Sequence, residues 1–463
     1  MKVIICGAGK VGTSIAKHLV SQKNDVTVID QSLELINDIK EKVDLKTING
    51  SASNPSILKK AGAEETDMII AVTLHDEINM VACQMAHTFF KIPRKIARLR
   101  SEDFLNPIWR DLYNADNMPI DLIISPELEV AKSIERQLKA PGAYDVVPFL
   151  NDEIELLSLP INENCPLIDT NLKSIHELFQ ENSNKDKDLR ASILGINRGD
   201  NLFIPKKSDS LLNGDLVYIL SDKNHVKRTM NAFGLNEKPI KKIIIVGGGN
   251  IGFNLAKDIE IHHSDISVCI IENNNERAKY IADQLGNTLV LNGDGLDQNI
   301  LDEANIRDTD MMLALTNDDE TNIIISAVGK KNNCESLILV NNSEYNKLKD
   351  VLGISKVIDP RKITVSKILK HVHRGRIESV YSIGNNQAEL IHAQALKSSK
   401  LLNKSIKESN LPNGMRIGLM KKKDQIIIPN KETIIEENDE ILFFCMTEDL
   451  KNAEDLFKIR EAY

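Results

Sequence analysis

The sequence predicts an α/β protein with two Rossmann-like, doubly wound parallel-sheet domains, each followed by a small α+β domain. Three observations predict this class. A glycine-rich turn joins an apolar run to an amphipathic segment, the same pattern returns about 240 residues later, and a hairpin-rich segment follows each copy. A chain of 463 residues is long enough for several such domains. We therefore interpret the order along the chain as A–B–A′–B′, with expected domains at 1–124, 144–228, 240–358 and 377–460.

The first glycine-rich turn lies between a predicted strand and a predicted helix. Residues 3–6 (VIIC) form the continuous apolar run of a buried parallel strand, and residues 13–20 (TSIAKHLV) keep apolar side chains at helical spacing. Gly7 permits a tight turn, Gly9 lets a pyrophosphate approach the backbone, and Gly12 lets the helix pack closely on the strand. We predict that the whole turn binds phosphate at the helix N-terminus: Gly7, Ala8, Gly9, Lys10, Val11 and Gly12.

An acidic residue follows at the spacing that ribose recognition requires. Asp30 lies 18 residues after Gly12, at the end of the next apolar run (VTVID). A carboxylate there accepts hydrogen bonds from the ribose hydroxyl groups and repels a 2′-phosphate, which favours NAD(H), or ATP or ADP, over NADP. Further candidate ligand residues follow the later strands, because the carboxyl ends of parallel strands meet the nucleotide: Gly50, Ser51, Thr73, Leu74 and Arg98.

The second copy repeats these positions in order. Residues 2–12 (KVIICGAGKVG) return as residues 242–252 (KIIIVGGGNIG), and residues 50–79 match residues 293–322 without a gap. Such ordered matches indicate a duplication. The candidate ligand residues of the second copy are Gly247, Gly249, Asn250, Ile251, Gly252, Glu272, Gly293, Asp294, Thr316 and Asn317.

The two copies differ after the predicted fifth strand. Arg98 can pair with phosphate through its planar guanidinium group. Aligning the serines that follow pairs Arg98 with Val340, and Arg100 with Asn342. The second copy then lacks both positive charges, so we expect weaker or different nucleotide binding there.

Acidic residues and prolines mark four predicted helix starts. Asp76-Glu77 and Asp319-Glu320 precede helical patterns, and we expect them to cap these helices because acidic residues favour the first turn. Ser125-Pro126-Glu127 and Asp359-Pro360-Arg361 place a proline at the first helical position. For the latter two helices three roles stay open: they transmit movement from the A units to the B units, they form a contact between subunits, or they only pack within the fold.

The segments behind the two copies predict β-hairpins. Residues 197–205 and 214–220 alternate short apolar runs with Gly, Asp and Asn turns, and residues 425–429 and 438–444 repeat this pattern. Two polar segments are expected to form a surface loop (181–188) and a domain linker (236–239).

The composition excludes several classes of protein. A formal net charge of −9 argues against a mainly electrostatic interaction with nucleic acid or anionic lipid. No apolar run approaches the roughly 18 residues of a membrane span, and the first strand begins at once, so we expect no secretory signal. The six scattered cysteines predict buried thiols in a reducing cytosol.

Together these motifs resemble the RCK (also called KTN) family. The resemblance rests on GAGKVG with Asp30 and on the following segments: 49–52 (NGSA), 67–79, 97–100 (ARLR), 124–127 (ISPE) and 141–143 (PGA). It implies a peripheral protein on the cytoplasmic side of the bacterial inner membrane, assembled as a homodimer or higher ring beneath a Trk-type potassium-translocating integral membrane subunit. It also implies that NAD(H), or ATP or ADP, bound in the A units regulates potassium uptake.

The main alternative is an NAD-dependent oxidoreductase with a duplicated Rossmann domain. Such an enzyme needs an acid or base beside the nicotinamide, and the sequence shows no His/Asp or Tyr/Lys pattern for it, so we predict no catalytic residues. Metal binding by His371-Val372-His373 is disfavoured because no third ligand lies nearby in the sequence. A nucleotide-sensing subunit of an antiporter or potassium channel stays open as a third possibility.

Overall fold

The structure is a computed structural model. It describes residues 1–180, 190–236, 238–342, 345, 354, 356–369, 371, 377–384, 387–397 and 399–457. The predicted loop at 181–188, Glu237 of the predicted linker, and Val372 and His373 lie outside the described residues. All six cysteines are described, and each is a buried free thiol.

The first parallel sheet has the doubly wound order β3-β2-β1-β4-β5-β6. Its strands are β1 (Lys2–Cys6), β2 (Asp25–Asp30), β3 (Lys46–Asn49), β4 (Met68–Ala71), β5 (Arg94–Arg98) and β6 (Leu122–Ile124). Its helices are α1 (Lys10–Ser21), α2 (Leu33–Lys42), α3 (Pro55–Ala61), α4 (Asp76–Phe90) and α5 (Glu102–Leu105). The winding reverses between β1 and β4, the point at which sheets of this order bind ligands.

The first antiparallel sheet follows helix α6 (Pro126–Lys139) and has the order β10-β9-β11-β8-β7. Its strands are β7 (Asp145–Phe149), β8 (Ile154–Pro160), β9 (Ala191–Arg198), β10 (Asn201–Phe203) and β11 (Leu216–Asp222), with helices α7 (Leu172–Gln180) and α8 (Val226–Ala232). Arg198 of β9 pairs with Asn201 of β10, which confirms the predicted hairpin.

The second parallel sheet repeats the first, with the order β14-β13-β12-β15-β16-β17. Its strands are β12 (Lys242–Val246), β13 (Ser267–Glu272), β14 (Leu289–Asn292), β15 (Met311–Ala314), β16 (Glu335–Leu339) and β17 (Lys356–Ile358). Its helices are α9 (Asn250–His262), α10 (Asn275–Gln284), α11 (Gln298–Glu303) and α12 (Asp319–Lys331).

The second antiparallel sheet follows helix α13 (Pro360–Leu369) and has the order β18-β19-β22-β20-β21. Its strands are β18 (Ile377–Ile383), β19 (Ala388–Gln394), β20 (Met415–Lys422), β21 (Gln425–Ile427) and β22 (Glu440–Met446), with helix α14 (Leu450–Phe457) after them. Lys422 of β20 pairs with Gln425 of β21, which confirms the second predicted hairpin. The predicted fold class is therefore confirmed, and α6 and α13 begin at the predicted prolines.

The chain divides into two compact units that each combine one half of every repeat. Unit 1 contains both parallel sheets, in residues Met1–Lys132 and Ile243–Ile368, and unit 2 contains both antiparallel sheets, in residues Ser133–Lys242 and Leu369–Tyr463. In unit 2 one apolar core is shared by both sheets, because Leu194 and Leu220 of the first lie in the same buried cluster as Phe444 of the second.

Candidate functional site

The first glycine turn has the backbone that a phosphate-binding turn needs. Gly7 has a φ of 113°, and a Cβ on it would lie 3.0 Å from the carbonyl oxygen of Val72. A Cβ on Gly12 would lie 1.8 Å from the carbonyl oxygen of Gly7, so helix α1 packs directly on the turn. In contrast, a Cβ on Gly9 would meet nothing within 4 Å. The open space at Gly9 is where a ligand can approach the backbone.

Asp30 lies at the edge of this turn and holds it in place. Its carboxylate accepts a 2.6 Å hydrogen bond from the Ala8 amide and a 2.8 Å hydrogen bond from the Ser32 amide. A carboxylate has about four lone-pair positions, so these two bonds leave capacity for ribose hydroxyl groups.

The second turn is built in the same way. The Glu272 carboxylate accepts hydrogen bonds from the amides of Gly248 (2.7 Å) and Asn274 (2.8 Å). Gly247 has a φ of 105°, and a Cβ on Gly249 would meet nothing within 4 Å. The remaining candidates of the second copy lie in the first turn of α9 (Asn250, Ile251, Gly252), after β14 (Gly293, Asp294) and after β15 (Thr316, Asn317).

A fully buried asparagine ties β4 to β5 at the carboxyl edge of the first sheet. The Oδ1 atom of Asn79 accepts hydrogen bonds from the amide (2.9 Å) and the hydroxyl group (2.7 Å) of Thr73. Its Nδ2 atom donates to the carbonyl oxygen of Arg98 at 2.9 Å. Asn322 makes the corresponding bonds to Thr316 and Leu339. The sequence showed these asparagines only as matched positions of the repeat, without this role.

The sequence led us to expect that Asp76 and Asp319 cap their helices. Their side chains do not do so. Both lie in the first helical turn, but the Asp76 carboxylate accepts from the amides of Arg100 (2.8 Å) and Ser101 (2.9 Å), which follow the neighbouring strand. The Asp319 carboxylate accepts from the amides of Asn341 and Asn342 in the same way. These carboxylates hold the loop after the fifth strand because that loop presents amides without strand partners.

The predicted pairing of Arg98 with Val340 and of Arg100 with Asn342 is wrong by one residue. The asparagine of α4 bonds to a carbonyl 19 residues later, at Arg98, whereas the asparagine of α12 bonds to one 17 residues later, at Leu339. Helix α12 has 13 residues where α4 has 15, so the second copy is two residues shorter here, which an alignment on the following serines underestimates. Arg98 therefore corresponds to Leu339, and Arg100 to Asn341. The second copy still lacks both charges.

A cavity of about 620 Å³ opens in front of the first glycine turn, a size typical of small-molecule sites. The candidates that line it are Gly7, Gly9, Lys10, Val11, Asp30, Gly50, Thr73, Leu74 and Arg98. The other three predicted ligand residues of the first copy, Ala8, Gly12 and Ser51, are not part of this lining. Ala8 and Gly12 are buried, and the Ser51 hydroxyl group is 2.8 Å from that of Ser53.

The second parallel-sheet domain completes this cavity. Asn317, which the sequence assigned to the second site, lines the cavity of the first. Asn341 and the start of helix α13, with Arg361 and Thr364, line it as well. The Arg361 guanidinium group is held by two 3.0 Å hydrogen bonds to the Asp359 carboxylate. Sequence reasoning missed these contributions because they come from the other repeat.

Two arginines, Arg98 and Arg100, bring positive charge to the lining of the cavity. Burial, together with the neighbouring Arg100, lowers the pKa of Arg98, and the Nε atom of Arg98 has no hydrogen-bond partner among the described residues. Glu127 at the start of α6 partly balances this charge, with its Oε1 atom 3.5 Å from the Nε atom of Arg100. Burial raises the pKa of Glu127. An anionic group of a ligand would supply the partner that Arg98 lacks.

The fold and these turns define a protein with two tandem Rossmann-type domains of the dinucleotide-binding class. The TrkA-N domain family matches residues 3–126 and 243–360, and the TrkA-C domain family matches residues 394–458. The chain belongs to the TrkA family, as the resemblance to RCK proteins predicted.

Full-length relatives support this assignment. The chain is 41% identical over 460 residues to the Trk system potassium uptake protein TrkA of Azorhizobium caulinodans, and the match covers 99% of both chains. It is 35% identical over 463 residues to the protein of the same name from Vibrio alginolyticus, again over 99% of both chains.

Solved structures show the same fold at low sequence identity. A structure described as the GsuK channel bound to NAD superposes with a TM-score of 0.61 at 16% identity, over 98% of this chain and 78% of that one. The GsuK RCK domain also gives a TM-score of 0.61, over 98% and 94% of the two chains. In the described part of this chain, no helix combines the length and apolar character needed to cross a bilayer.

Proposed function

We propose that this chain is the nucleotide-binding regulatory subunit of a Trk-type potassium uptake system. The observation that carries the proposal is the match to Trk system potassium uptake proteins over 99% of both chains. The partner would be a potassium-translocating integral membrane subunit. The chain would assemble as a homodimer or larger ring at the cytoplasmic side of the inner membrane, and no nucleic acid would be involved.

The proposed ligand of the first site is NAD(H), with ATP or ADP as the alternative. The residues fit such a ligand because the space at Gly9 admits a phosphate to the backbone and Asp30 keeps free acceptor capacity for ribose. The distal half of the ligand would then lie toward Arg98, whose Nε atom has no protein partner in the described structure. The relative described as a channel bound to NAD supports this choice of ligand.

Regulation would follow from the two-domain lining of the cavity. A ligand at the first turn would contact Asn317 and Arg361 of the second domain as well as its own domain. It would therefore favour the arrangement of the two domains in which both sets of contacts are made, and a ligand shifts an equilibrium only through such a difference in affinity.

Replacing Gly9 by valine tests the first site. Gly9 has an extended backbone with a φ of −64°, which valine adopts without strain, and its side chain would fill the space where phosphate approaches. We expect NADH and ATP binding to the full chain to weaken by about tenfold or more. We also expect potassium uptake, in cells whose own copy is deleted, to stop responding to nucleotide.

Gly286→Ala is the control, because a Cβ at Gly286 also meets nothing within 4 Å and lies outside the cavity lining. Unchanged nucleotide regulation in the Gly9→Val variant would contradict the proposal. Consumption of NADH by the purified protein with a small substrate would instead support the oxidoreductase alternative.

A further inference from the structure

Helices α6 and α13 begin at matched positions of the two repeats but carry opposite charges there. In each parallel sheet the sixth strand, β6 or β17, is followed by one residue and then by the proline that starts the helix. The residue after the proline is Glu127 in the first copy and Arg361 in the second. The sign of the charge at this position is therefore reversed between the copies.

Arg361 lines the cavity of the first glycine turn although it belongs to the second repeat. Its side chain is 19% exposed, so a ligand in the cavity can reach it. Thr364 lies on the same face of α13 and lines the cavity as well. Lys10, Arg98 and Arg100 bring positive charge to the same lining. An anionic group in this cavity can therefore meet positive side chains of both repeats.

The backbone donors in the first turn of α13 all bond to Asp359. The Arg361 amide donates a 2.9 Å hydrogen bond to its carboxylate. The amides of Lys362 and Ile363 donate to its carbonyl oxygen at 3.1 and 3.5 Å, and Pro360 has no amide hydrogen. Binding of an anion at this end of the helix therefore depends on the Arg361 side chain.

Asp359 also fixes the orientation of the Arg361 guanidinium group. Its carboxylate accepts 3.0 Å hydrogen bonds from both the Nε and the Nη2 atoms. A guanidinium group has five N–H donors, so three are left for a ligand. The fold thus positions the group before a ligand arrives, which lowers the entropic cost of binding.

The matched residue of the first copy has the wrong charge for this role. The Glu127 Oε1 atom lies 3.5 Å from the Nε atom of Arg100, and a carboxylate repels a phosphate group. A phosphate can therefore be bound from the helix start of the second repeat, but not from that of the first.

We propose that Arg361 binds a phosphate group of the nucleotide at the first glycine turn, so that the second repeat sets the preference of the first site among ligands of different phosphate charge. Hydrogen bonds between a guanidinium group and a phosphate are strong and directional. The contribution of Arg361 to affinity should increase from AMP to ADP to ATP, because each step adds negative charge. NADH carries less charge than ATP and should gain less. This inference rests on the proposed function and adds to it a residue that selects among its ligands.

Arg361→Gln removes the charge and tests this role. In calorimetric titrations of the full chain, we expect ATP affinity to fall about tenfold and AMP affinity to change by less than about twofold, with ADP and NADH between them. Arg361→Lys keeps the charge without the planar fork and should recover part of the ATP affinity. Arg190→Gln is the matched control, because Arg190 also pairs with a buried carboxylate, that of Asp222 at 3.4 Å, and lies outside the cavity lining. It should leave ATP affinity unchanged.

A double-mutant cycle with Gly9→Val assigns the effect to the first site. In the Gly9→Val background, Arg361→Gln should change the remaining ATP affinity by less than about threefold. Thermal unfolding of each variant checks that the fold is retained. Unchanged ATP affinity in Arg361→Gln, or equal losses for AMP and ATP, would overturn the inference and leave the proposed function standing. A wild-type chain that binds none of the four ligands would overturn both.

Discussion

Asn79 and Asn322 show how a single buried side chain sets the geometry of the candidate sites. Each is fully buried and joins the ends of the fourth and fifth strands of its sheet through bonds to one threonine and one strand-end carbonyl. The Asn79 bond to the carbonyl oxygen of Arg98 holds that residue in the lining of the first cavity. Removal of the amide leaves the backbone groups it binds buried without a partner.

Asn79→Ala should lower the free energy of unfolding by about 2–4 kcal/mol, because buried backbone groups lose their hydrogen bonds. It should also weaken NADH binding, since the end of β5 is released. Asn24→Ala is the matched control: that side chain is only partly buried, with one 3.1 Å bond to the carbonyl oxygen of Leu19, and should cost less than about 1 kcal/mol. Urea denaturation measures both. Equal losses for the two variants would argue against the role assigned to Asn79.

At the scale of elements, helix α6 brings a carboxyl group of unusual pKa against the two arginines. Burial raises the pKa of Glu127, and the charges of Arg100 and Arg98 only partly oppose this. A raised pKa in the folded state means that the folded protein binds a proton more tightly than the unfolded chain. Ionised Glu127 is therefore a cost to folding that is absent at low pH and develops as the pH rises through the pKa of the folded state.

Glu127→Gln makes this cost measurable. The unfolding free energy of the variant minus that of the wild type should increase as the pH rises from about 4 to 7, because the glutamine resembles the protonated acid at every pH. Denaturant titrations across this range test the sign.

Glu260→Gln provides the opposite case. Burial acts to raise the pKa of Glu260, but hydrogen bonds from Thr288, Asn287 and Gly286 outweigh it and lower the pKa. For Glu260→Gln, the unfolding free energy of the variant minus that of the wild type should therefore decrease with rising pH over the range in which that carboxyl group ionises. Parallel trends for the two variants would contradict the assigned pKa directions.

Many of these elements could be predicted from the sequence. The strands, the glycine turns, the acids at the ends of β2 and β13 and the proline starts of α6 and α13 follow from local patterns, and the structure has all of them. The one-residue error at Arg98 arose because α12 is two residues shorter than α4. Aligning the two copies on the following serines did not reveal the full difference in length. The hydrogen bonds from Asn79 to Arg98 and from Asn322 to Leu339 show directly which strand-end residues correspond.

At the scale of the molecule, each repeated half packs against its counterpart within its own unit. In unit 2 a Cβ on Gly418 would lie 2.4 Å from the Cδ2 atom of Leu194 and 2.8 Å from the Cδ1 atom of Leu220, both from the other antiparallel sheet. Both leucines are fully buried. The absence of a side chain at Gly418 is what lets the two sheets approach.

Gly418→Leu should therefore lower the free energy of unfolding by about 1–3 kcal/mol, because a close-packed core cannot admit the added volume. Gly286→Ala, at an open surface position, should change it by less than about 0.5 kcal/mol. Chemical denaturation compares the two variants. A neutral Gly418→Leu would show that the sheets separate easily.

The sequence by itself determined the fold class, the duplication, both glycine turns with their acids, and the family, because these depend on residues close in the chain or on matches between the copies. Only the tertiary structure decided that Asn317, Asn341 and Arg361 line the first cavity, and that Arg277 lies over the second turn. The cavity is closed by residues from the other copy, and local periodicity carries no information on which surfaces of two distant segments meet. Phe253 takes the place of Thr13 in the second copy. Only the structure shows that Arg277 donates to the Gly248 carbonyl oxygen there, as the Thr13 hydroxyl group donates to the Ala8 carbonyl oxygen in the first copy.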